Sequence, residues 1–290
     1  MVKCENTLYR NNKRKEDIFI LVFIYLAAAI AVTLIGGIIT YSVVHGLSVI
    51  NWQFLTQEPS YREGTLGIGG NILNTLYIIA ITLMIAVPLG MGAAIYLNEY
   101  AKRGKFVRLV TFTTETLAGI PSIIFGLFGM KFFGEFCGLG FSILTGALTL
   151  TIMIFPLITR NTQEALKMVP NSYREGALGM GVTKWHMIRT ILLPSAIPGI
   201  ITGVILSIGR IVGESAALLF TAGSGEGLPE TAIQYLDKIG TSGGTLAIQL
   251  YLSMAKADYA SAYGIAVVLI AIVLIINFAA RRIGKHLNAS

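Results

Sequence analysis

The sequence predicts an all-α polytopic membrane protein with six transmembrane helices. Hydrophobic residues make up 54% of the chain and charged residues only 13%, whereas about a quarter of a soluble domain is charged. The apolar residues gather in runs of about 20, the length that a helix needs to cross a hydrocarbon core. They do not alternate with polar residues as the strands of a transmembrane barrel do. Composition and pattern together exclude a soluble domain.

Six apolar runs are long enough to be spans. We predict them at residues 18–44, 72–97, 117–133, 139–158, 197–220 and 259–280. They form one membrane domain, 18–280, between an N-terminal segment, 1–17, and a C-terminal tail, 281–290. A basic segment precedes the first run, as in a signal peptide, but a signal core has about 7–15 residues and this run continues past Thr40. It is therefore predicted to be retained as span one.

Lysine and arginine predict the orientation, because they are enriched on the cytoplasmic side. Seventeen of the 22 fall before span one, between spans two and three, between spans four and five, or after span six. Both termini are therefore predicted to be cytoplasmic, in the cytoplasmic membrane of a bacterium or archaeon. Cys4 then lies inside and Cys137 outside, so they cannot pair. We expect membrane lipid around the spans and no nucleic-acid partner, because the basic residues are spread over every inner loop.

One motif occurs twice. YREGTLGIGG runs from Tyr61 to Gly70, and YREGALGMGV runs from Tyr173 to Val182. The orientation places the first copy outside, directly before span two, and the second inside, in the longest cytoplasmic loop, 160–194. Only the second continues with the pattern E-x-A-x-x-x-G-x9-I-x-L-P. We therefore expect the copies to differ in role, the outer one being a chance match or an entry turn for span two.

The inner copy predicts a short helix on the cytoplasmic face. Ser172 is placed to cap it, with Glu175 reaching back in a capping box. Gly179 and Gly181 then allow the chain to leave the helix through conformations that other residues avoid. Such a helix-turn suits a groove on another protein. An amphipathic interfacial helix in contact with lipid is the alternative, and the residues alone do not decide between the two.

The stretch EGALGMGVTKWHMIRTILLP resembles the EAA loop of ABC importer permeases. In that family the loop forms a cytoplasmic coupling helix, here between spans four and five, which docks into a separate ATP-hydrolysing subunit. Gly176 departs from the usual Ala but leaves the spacing intact. The resemblance assigns ATPase coupling to the matching positions Glu175, Ala177, Gly181, Ile191, Leu193 and Pro194.

The chain offers no chemistry of its own for driving transport. It carries no G-x-x-x-x-G-K-[ST] phosphate loop, and His45, His186 and His286 are too far apart for metal-ligand spacing. We therefore predict no catalytic residue, no metal site and no cofactor bound by this chain. ATP and Mg are expected on the partner ATPase, so the chain itself is expected to be non-catalytic.

Ionisable residues inside a span are energetically expensive and are candidates for function. Arg210 and Glu214 are four residues apart in span five, so we expect them to pair across one helical turn. Such a pair either ties helices together or lets Arg210, whose planar fork suits oxyanions, meet an anionic cargo. Pro121 either opens a helix at Ser122, whose free N–H groups would suit an anion, or only kinks span three. Arg210, Glu214 and Ser122 are the candidate substrate pathway.

Small residues in span five predict close helix packing. Gly199 and Gly203 are four residues apart, as are Gly209 and Gly213. Pairs of small residues at this spacing let a neighbouring helix approach closely.

Two further stretches, GIPSIIFGLFG at 119–129 and RIVGESAALLFTAG at 210–223, resemble segments of the bacterial high-affinity phosphate importer. The second is nearer to its PstA permease subunit than to PstC, although Ser215 and Ala217 stand where Thr and Pro are often found. The resemblance covers most of the chain from span two onward and implies phosphate as cargo. Another oxyanion, such as sulfate, molybdate or phosphonate, is the alternative, and an ion-coupled carrier or channel is a further one.

The same resemblance implies several partners. They are a PstC-like second permease subunit, a PstB-like ATPase dimer and an extracytoplasmic PstS-like phosphate-binding protein. The outer loop, 222–258, is long enough to touch such a binding protein. The alternative is a hairpin of helices that lies on the surface without a partner.

Overall fold

The computed structural model describes residues 15–59, 67–102, 104–229 and 231–287, and within these ranges every regular element is helical. Three stretches, Tyr96–Tyr100, Met130–Phe136 and Ile188–Leu192, are π-helical and continue or connect α-helices. The α-helices are α1 Lys15–Gly46, α2 Trp52–Thr56, α3 Gly69–Ile95, α4 Lys105–Ala118, α5 Ser122–Gly129, α6 Ile143–Met168, α7 Asn171–Gly179, α8 Lys184–Met187, α9 Leu193–Val212, α10 Ala216–Thr221, α11 Ala232–Asp237, α12 Leu246–Ala255 and α13 Tyr259–Leu287.

Five helical stretches in the described part of the chain are long and apolar enough to cross a membrane. A sixth crossing is obtained if α4 and the helix Ser122–Phe136, which meet at an angle of 100°, count as one broken span. The five stretches are Ile18–Gly46, Gly69–Tyr100, Ile143–Met168, Lys184–Val212 and Tyr259–Arg282. The all-helical, multi-span class predicted from the sequence is thus confirmed.

The predicted third span is not one continuous helix. The chain breaks between Ala118 and Ser122, because Pro121 has no N–H for a helical hydrogen bond and disfavours helical geometry in the residue before it. Of the two alternatives for Pro121, a new helix opening at Ser122 is therefore correct. Predicted span five is also divided: α9 ends at Val212, and the chain turns through Gly213 before α10 begins at Ala216.

Helix α6 lies at the centre of the fold. It packs against α3 and α9 along much of its length and also contacts α4, α5 and α10. Its residues Ala147, Leu150, Ile154 and Ile158 are fully buried in the largest apolar cluster. Helix α1, in contrast, contacts α13 and has no buried residue in its apolar window.

Gly199 and Gly203, the first of the two predicted glycine pairs, confirm the predicted close packing of α9. A Cβ at Gly199 would lie 2.6 Å from the Cβ of Ala165, and one at Gly203 would lie 2.6 Å from the Cβ of Asn161. Both neighbours belong to α6, so the helices touch through these glycines. The second pair does not act in this way, because a Cβ at Gly209 would meet nothing within 4 Å among the described residues.

The segment 222–258 is not a hairpin lying on the surface, so that alternative is wrong. Residues 243–249 return into the fold and are buried. The side-chain amides of Asn71 and Asn74, near the start of α3, donate to the carbonyl oxygen of Gly244 at 3.0 and 3.1 Å. These two hydrogen bonds replace those that the carbonyl group of Gly244 would make with water in a surface loop.

The outer motif copy lies partly outside the described residues, which omit 60–66. Its last two residues, Gly69 and Gly70, begin α3. A side chain at Gly70 would clash with the carbonyl group of Glu226. In the described part of this copy, the glycines therefore leave space for other backbone segments next to the N-terminus of α3.

Candidate functional site

The helix-turn segment, residues 171–194, begins with α7. The predicted side-chain cap is wrong, because α7 begins at Asn171 with Ser172 already inside the helix and no side-chain hydrogen bond to its first turn. Pro170 instead sets the start: it has φ −55°, and its carbonyl oxygen accepts the N–H of Tyr173 at 3.2 Å. A proline at this point costs little because the first N–H groups of a helix have no intrahelical partner.

The exit from α7 is a Schellman turn. Val182 N donates to the carbonyl oxygen of Ala177 at 3.2 Å, and Gly181 N donates to that of Leu178 at 3.0 Å. Gly181 has φ +77°, a conformation that favours glycine. The prediction for Gly181 is therefore confirmed, whereas Gly179 is the last helical residue and has no positive φ.

One face of the helix-turn segment is anchored in the protein. Ala177 is 2% exposed and belongs to an apolar cluster with Leu166, Met187 and Leu192. Ile191 and Leu193 are partly buried against the same cluster. Pro194, at the start of α9, is exposed. Most of the apolar positions in the predicted motif therefore hold the segment to the ends of α6 and α9.

Other apolar side chains of the helix-turn segment are exposed to solvent. We name this surface the exposed patch; it consists of Tyr173, Leu178, Met180 and Trp185, which are 53%, 50%, 77% and 61% exposed. Glu175 and Gly181 are exposed beside it. Several exposed large apolar side chains within one short segment are typical of a protein or membrane contact.

Sequence reasoning missed an ion pair next to this segment. Arg174 Nη2 lies 2.9 Å from Glu99 Oε1, and the two side chains are 17% and 5% exposed. Arg174 stands directly before Glu175 in the motif, and Glu99 follows the predicted end of span two at 97. An acidic residue at the end of an apolar run was the available signal, but no sequence pattern connects residues 75 positions apart.

A charged cavity of about 280 Å³ lies between α4, α6 and α9. Its lining includes three cationic residues, Arg160, Lys167 and Arg210, and two acidic ones, Glu115 and Glu164. Arg160 Nε is 3.1 Å from Glu164 Oε1. Arg210 makes no hydrogen bond and no ion pair with any residue that the structure describes.

The predicted pair of Arg210 with Glu214 is therefore not formed. The helix ends at Val212, so the two residues are not one turn apart on a continuous helix. Glu214 Oε1 instead accepts the N–H of Ala217 at 3.0 Å. Ser122 is the first residue of α5 and is partly buried, but it does not belong to the lining of the cavity around Arg210. The structure thus separates the three pathway candidates.

A bundle of membrane-crossing helices that encloses a charged cavity and exposes an apolar helix-turn defines a polytopic permease. The chain belongs to the family of binding-protein-dependent transport system inner membrane components, whose model matches residues 86–290. It is therefore the permease subunit of an ABC importer, located in a membrane.

Curated relatives extend this similarity. The chain is 37% identical to the probable ABC transporter permease protein YqgI of Bacillus subtilis, over 89% of this chain and 92% of that protein. It is 34% identical to the phosphate transport system permease protein PstA 1 of Mycobacterium tuberculosis, over 75% of this chain and 70% of that protein. The chain is thus similar to PstA subunits, as the sequence predicted.

Solved structures share the fold. A bacterial alginate ABC transporter in complex with its alginate-bound periplasmic protein matches with a TM-score of 0.66 at 17% identity, over 95% of this chain and 98% of that one. The MetNI methionine ABC transporter in an inward-facing conformation matches with a TM-score of 0.56 at 22% identity, over 76% of this chain and 94% of that one.

Proposed function

We propose that this chain is the PstA-like permease subunit of an ATP-driven importer of inorganic phosphate. The observation that carries the proposal is Arg210, a guanidinium without an ion-pair partner among the described residues, at the wall of a charged cavity. An unpaired cation inside a membrane protein is costly unless it serves a ligand or a partner. A guanidinium presents a planar fork that matches two oxygens of a phosphate.

The charges that line the cavity support an anionic cargo that binds weakly during its passage. Three cationic side chains face two acidic ones, so the lining attracts an anion without holding it by cations alone. A transport pathway needs binding that is favourable enough for entry and weak enough for release. Names of relatives such as PstA 1 support phosphate among the oxyanions.

The helix-turn segment supplies the contact with the energy source. We infer that the exposed patch, with Glu175 and Gly181 beside it, docks into a groove of a PstB-like ATPase that holds ATP and Mg. Ala177, Ile191 and Leu193 hold the segment to the membrane helices, and the exposed Pro194 lies at the start of α9. A PstC-like permease completes the pore, and a PstS-like extracytoplasmic protein delivers phosphate.

The proposal is tested with the complex reconstituted in liposomes with its ATPase, second permease and binding protein. We expect ATP-dependent uptake of ³²P-phosphate that excess unlabelled phosphate abolishes and equal excesses of sulfate, molybdate or phosphonate leave largely unchanged. Stronger competition by one of these anions would assign the importer to that anion instead. Uptake without ATP or without the ATPase would identify a carrier or channel and contradict the proposal.

A further inference from the structure

Arg174 joins α7 to the ends of two membrane helices. Its Nε and Nη2 donate to Glu99 Oε1, at 3.2 and 2.9 Å. Nη2 also donates to the carbonyl oxygen of Leu166 at 2.8 Å, and Nη1 donates to that of Val169 at 2.9 Å. A further contact from Nη1 reaches Asn171 Oδ1 at 3.3 Å. Each guanidinium nitrogen is thus hydrogen-bonded, which a buried charge requires.

The two carbonyl groups belong to the C-terminal end of α6. This helix ends at Met168, with Val169 as its C-cap, and the last carbonyl groups of a helix have no partner within the helix. A cation is also favourable at this end of the helix dipole. Lysine would keep the charge, but a single ammonium group cannot reproduce the fork that contacts Glu99 and both carbonyl groups at once.

The C-terminal end of the α3 span also contacts the part of the chain that follows the Gly181 turn. Lys184 Nζ, at the start of α8, donates to the backbone carbonyl oxygen of Glu99. It also lies 5.2 Å from the ring centroid of Tyr100, within the range of a cation–π contact. The π-helical turn Tyr96–Tyr100 is therefore fastened to α7 through Arg174 and to α8 through Lys184.

These contacts lie next to the charged cavity. Leu97, two residues before Glu99, lines the cavity, as does Lys167, which follows Leu166. A movement of α7 that carried Glu99 and Leu166 with it would therefore displace two parts of the cavity wall. Without the ion pair, the segment would be joined to the α3 span by the exposed ammonium group of Lys184 and by apolar packing of Met91 and Ile95, neither of which has the directional geometry of the guanidinium contacts.

We propose that Arg174 and Glu99 form a clamp that makes the helix-turn segment move as one body with the inner ends of α3 and α6, so that docking movements of the ATPase reach the cavity. Arg174 and Glu99 are thus positioning residues for coupling. The clamp rests on the proposed function only in that the ATPase is taken to dock at the exposed patch.

The first test measures coupling in the complete complex. We compare Arg174→Gln, Glu99→Gln and Arg174→Lys for ATP hydrolysis with and without phosphate-loaded binding protein. Both glutamine variants should assemble and keep basal hydrolysis, because the apolar cluster around Ala177 still holds the segment. They should lose stimulation by about tenfold or more, because each breaks the ion pair that joins α7 to the α3 span. Arg174→Lys should retain intermediate stimulation, because it keeps the charge and loses the fork. If the Arg174–Glu99 ion pair contributed only to stability, the variants would lower assembly and basal hydrolysis together. Stimulation per assembled complex would then be unchanged, which would contradict the clamp.

Glu135→Gln is the matched control. Glu135 pairs with Lys131 at 2.7 Å, but both side chains are more than half exposed, so the loss of this pair should leave stimulation unchanged. Full stimulation of assembled Arg174→Gln complexes would overturn the clamp.

The second test needs no clamp variant and no phosphate. Cys4 and Cys137 are replaced by Ser, and thiol-reactive spin labels are attached to the variants Ser172→Cys in α7 and Met84→Cys in α3, two exposed positions. The label-to-label distance, measured by pulsed EPR in the assembled complex, should be the same without nucleotide and with ATP. A distance that changes with ATP would overturn the clamp even if the variants failed to assemble. A wild-type complex whose hydrolysis ignores phosphate-loaded binding protein would contradict the proposed cargo, and the EPR distance would still test the clamp.

Discussion

Glu214 accepts a hydrogen bond from the backbone N–H of Ala217, with 3.0 Å between Oε1 and N. The carboxylate therefore caps the first turn of α10, where an acidic side chain also stabilises the helix dipole. This contact explains why Glu214 is not the ion partner of Arg210, although the sequence spacing suggested it. The roles of the two residues are separate, which leads to the first prediction.

Arg210→Gln should abolish phosphate uptake without loss of complex assembly, because the change removes the charge at the cavity and no buried ion pair is broken. Glu214→Gln should reduce uptake less, since an amide oxygen still accepts the N–H of Ala217. The double variant should be as inactive as Arg210→Gln alone. Assembled complex and uptake are measured for all three. Restoration of uptake in the double variant would show a functional pair and contradict the separation.

Gly181→Val should uncouple the ATPase. A β-branched residue at φ +77° is strained, typically by about 1–2 kcal/mol, so the Schellman turn should open and displace the exposed patch. The membrane helices should remain folded, because a Cβ at this position meets no described atom within 4 Å. Co-purification of the ATPase and stimulated hydrolysis are the measurements. Gly176→Ala is the control: it lies inside α7 with open space around it, and its coupling should be unchanged.

Gly203→Val should destabilise the permease through the contact of α9 with α6. Its side chain would meet Asn161 at 2.6 Å, and overpacking of this kind typically costs about 1–3 kcal/mol. The midpoint of thermal unfolding in detergent should fall. Gly209→Ala, in the same helix but with open space, should leave that midpoint unchanged or slightly higher. Equal midpoints for both variants would show that the close approach does not contribute to stability.

Glu226 should make stability depend on pH. Burial raises the pKa of this carboxyl above its ordinary value of 4.5, while the charge of Lys256 and a hydrogen bond with Gln249 act in the opposite direction. The folded protein therefore holds this proton more tightly than the unfolded chain does, so stability falls as pH rises from 4.5 through the raised pKa. Glu226→Gln should raise the unfolding midpoint at neutral pH and lose this advantage near pH 4. An advantage of the same size at both pH values would show that the carboxyl does not titrate in this way.

The sequence predicted those parts of the fold that depend on hydrophobicity and on single special residues. Long apolar runs located the membrane helices, because burial in hydrocarbon requires continuous apolar surface. The spacing after Glu175 located the helix-turn, and Gly181 was correctly predicted as its exit because few other residues tolerate that conformation.

The remaining features depend on contacts that spacing does not encode. Capping by Ser172 was wrong because Pro170 is the N-cap and α7 begins at Asn171, one residue before Ser172. The prediction of an Arg210–Glu214 pair was wrong because α9 ends between the two residues. The sequence does not show this end, because the apolar run continues into α10. Glu99 was missed because its partner, Arg174, comes from a distant part of the chain.

The broken third span limits where lipid can touch this protein. At Ser122 the chain starts a new helix after a bend of 100°, and the first N–H groups of that helix have no helical partner. Acyl chains offer no hydrogen-bond acceptor, so irregular backbone at membrane depth persists only against protein or water. The bend at 119–121 therefore marks a side of the permease that is turned away from the bilayer, toward other protein or an aqueous path.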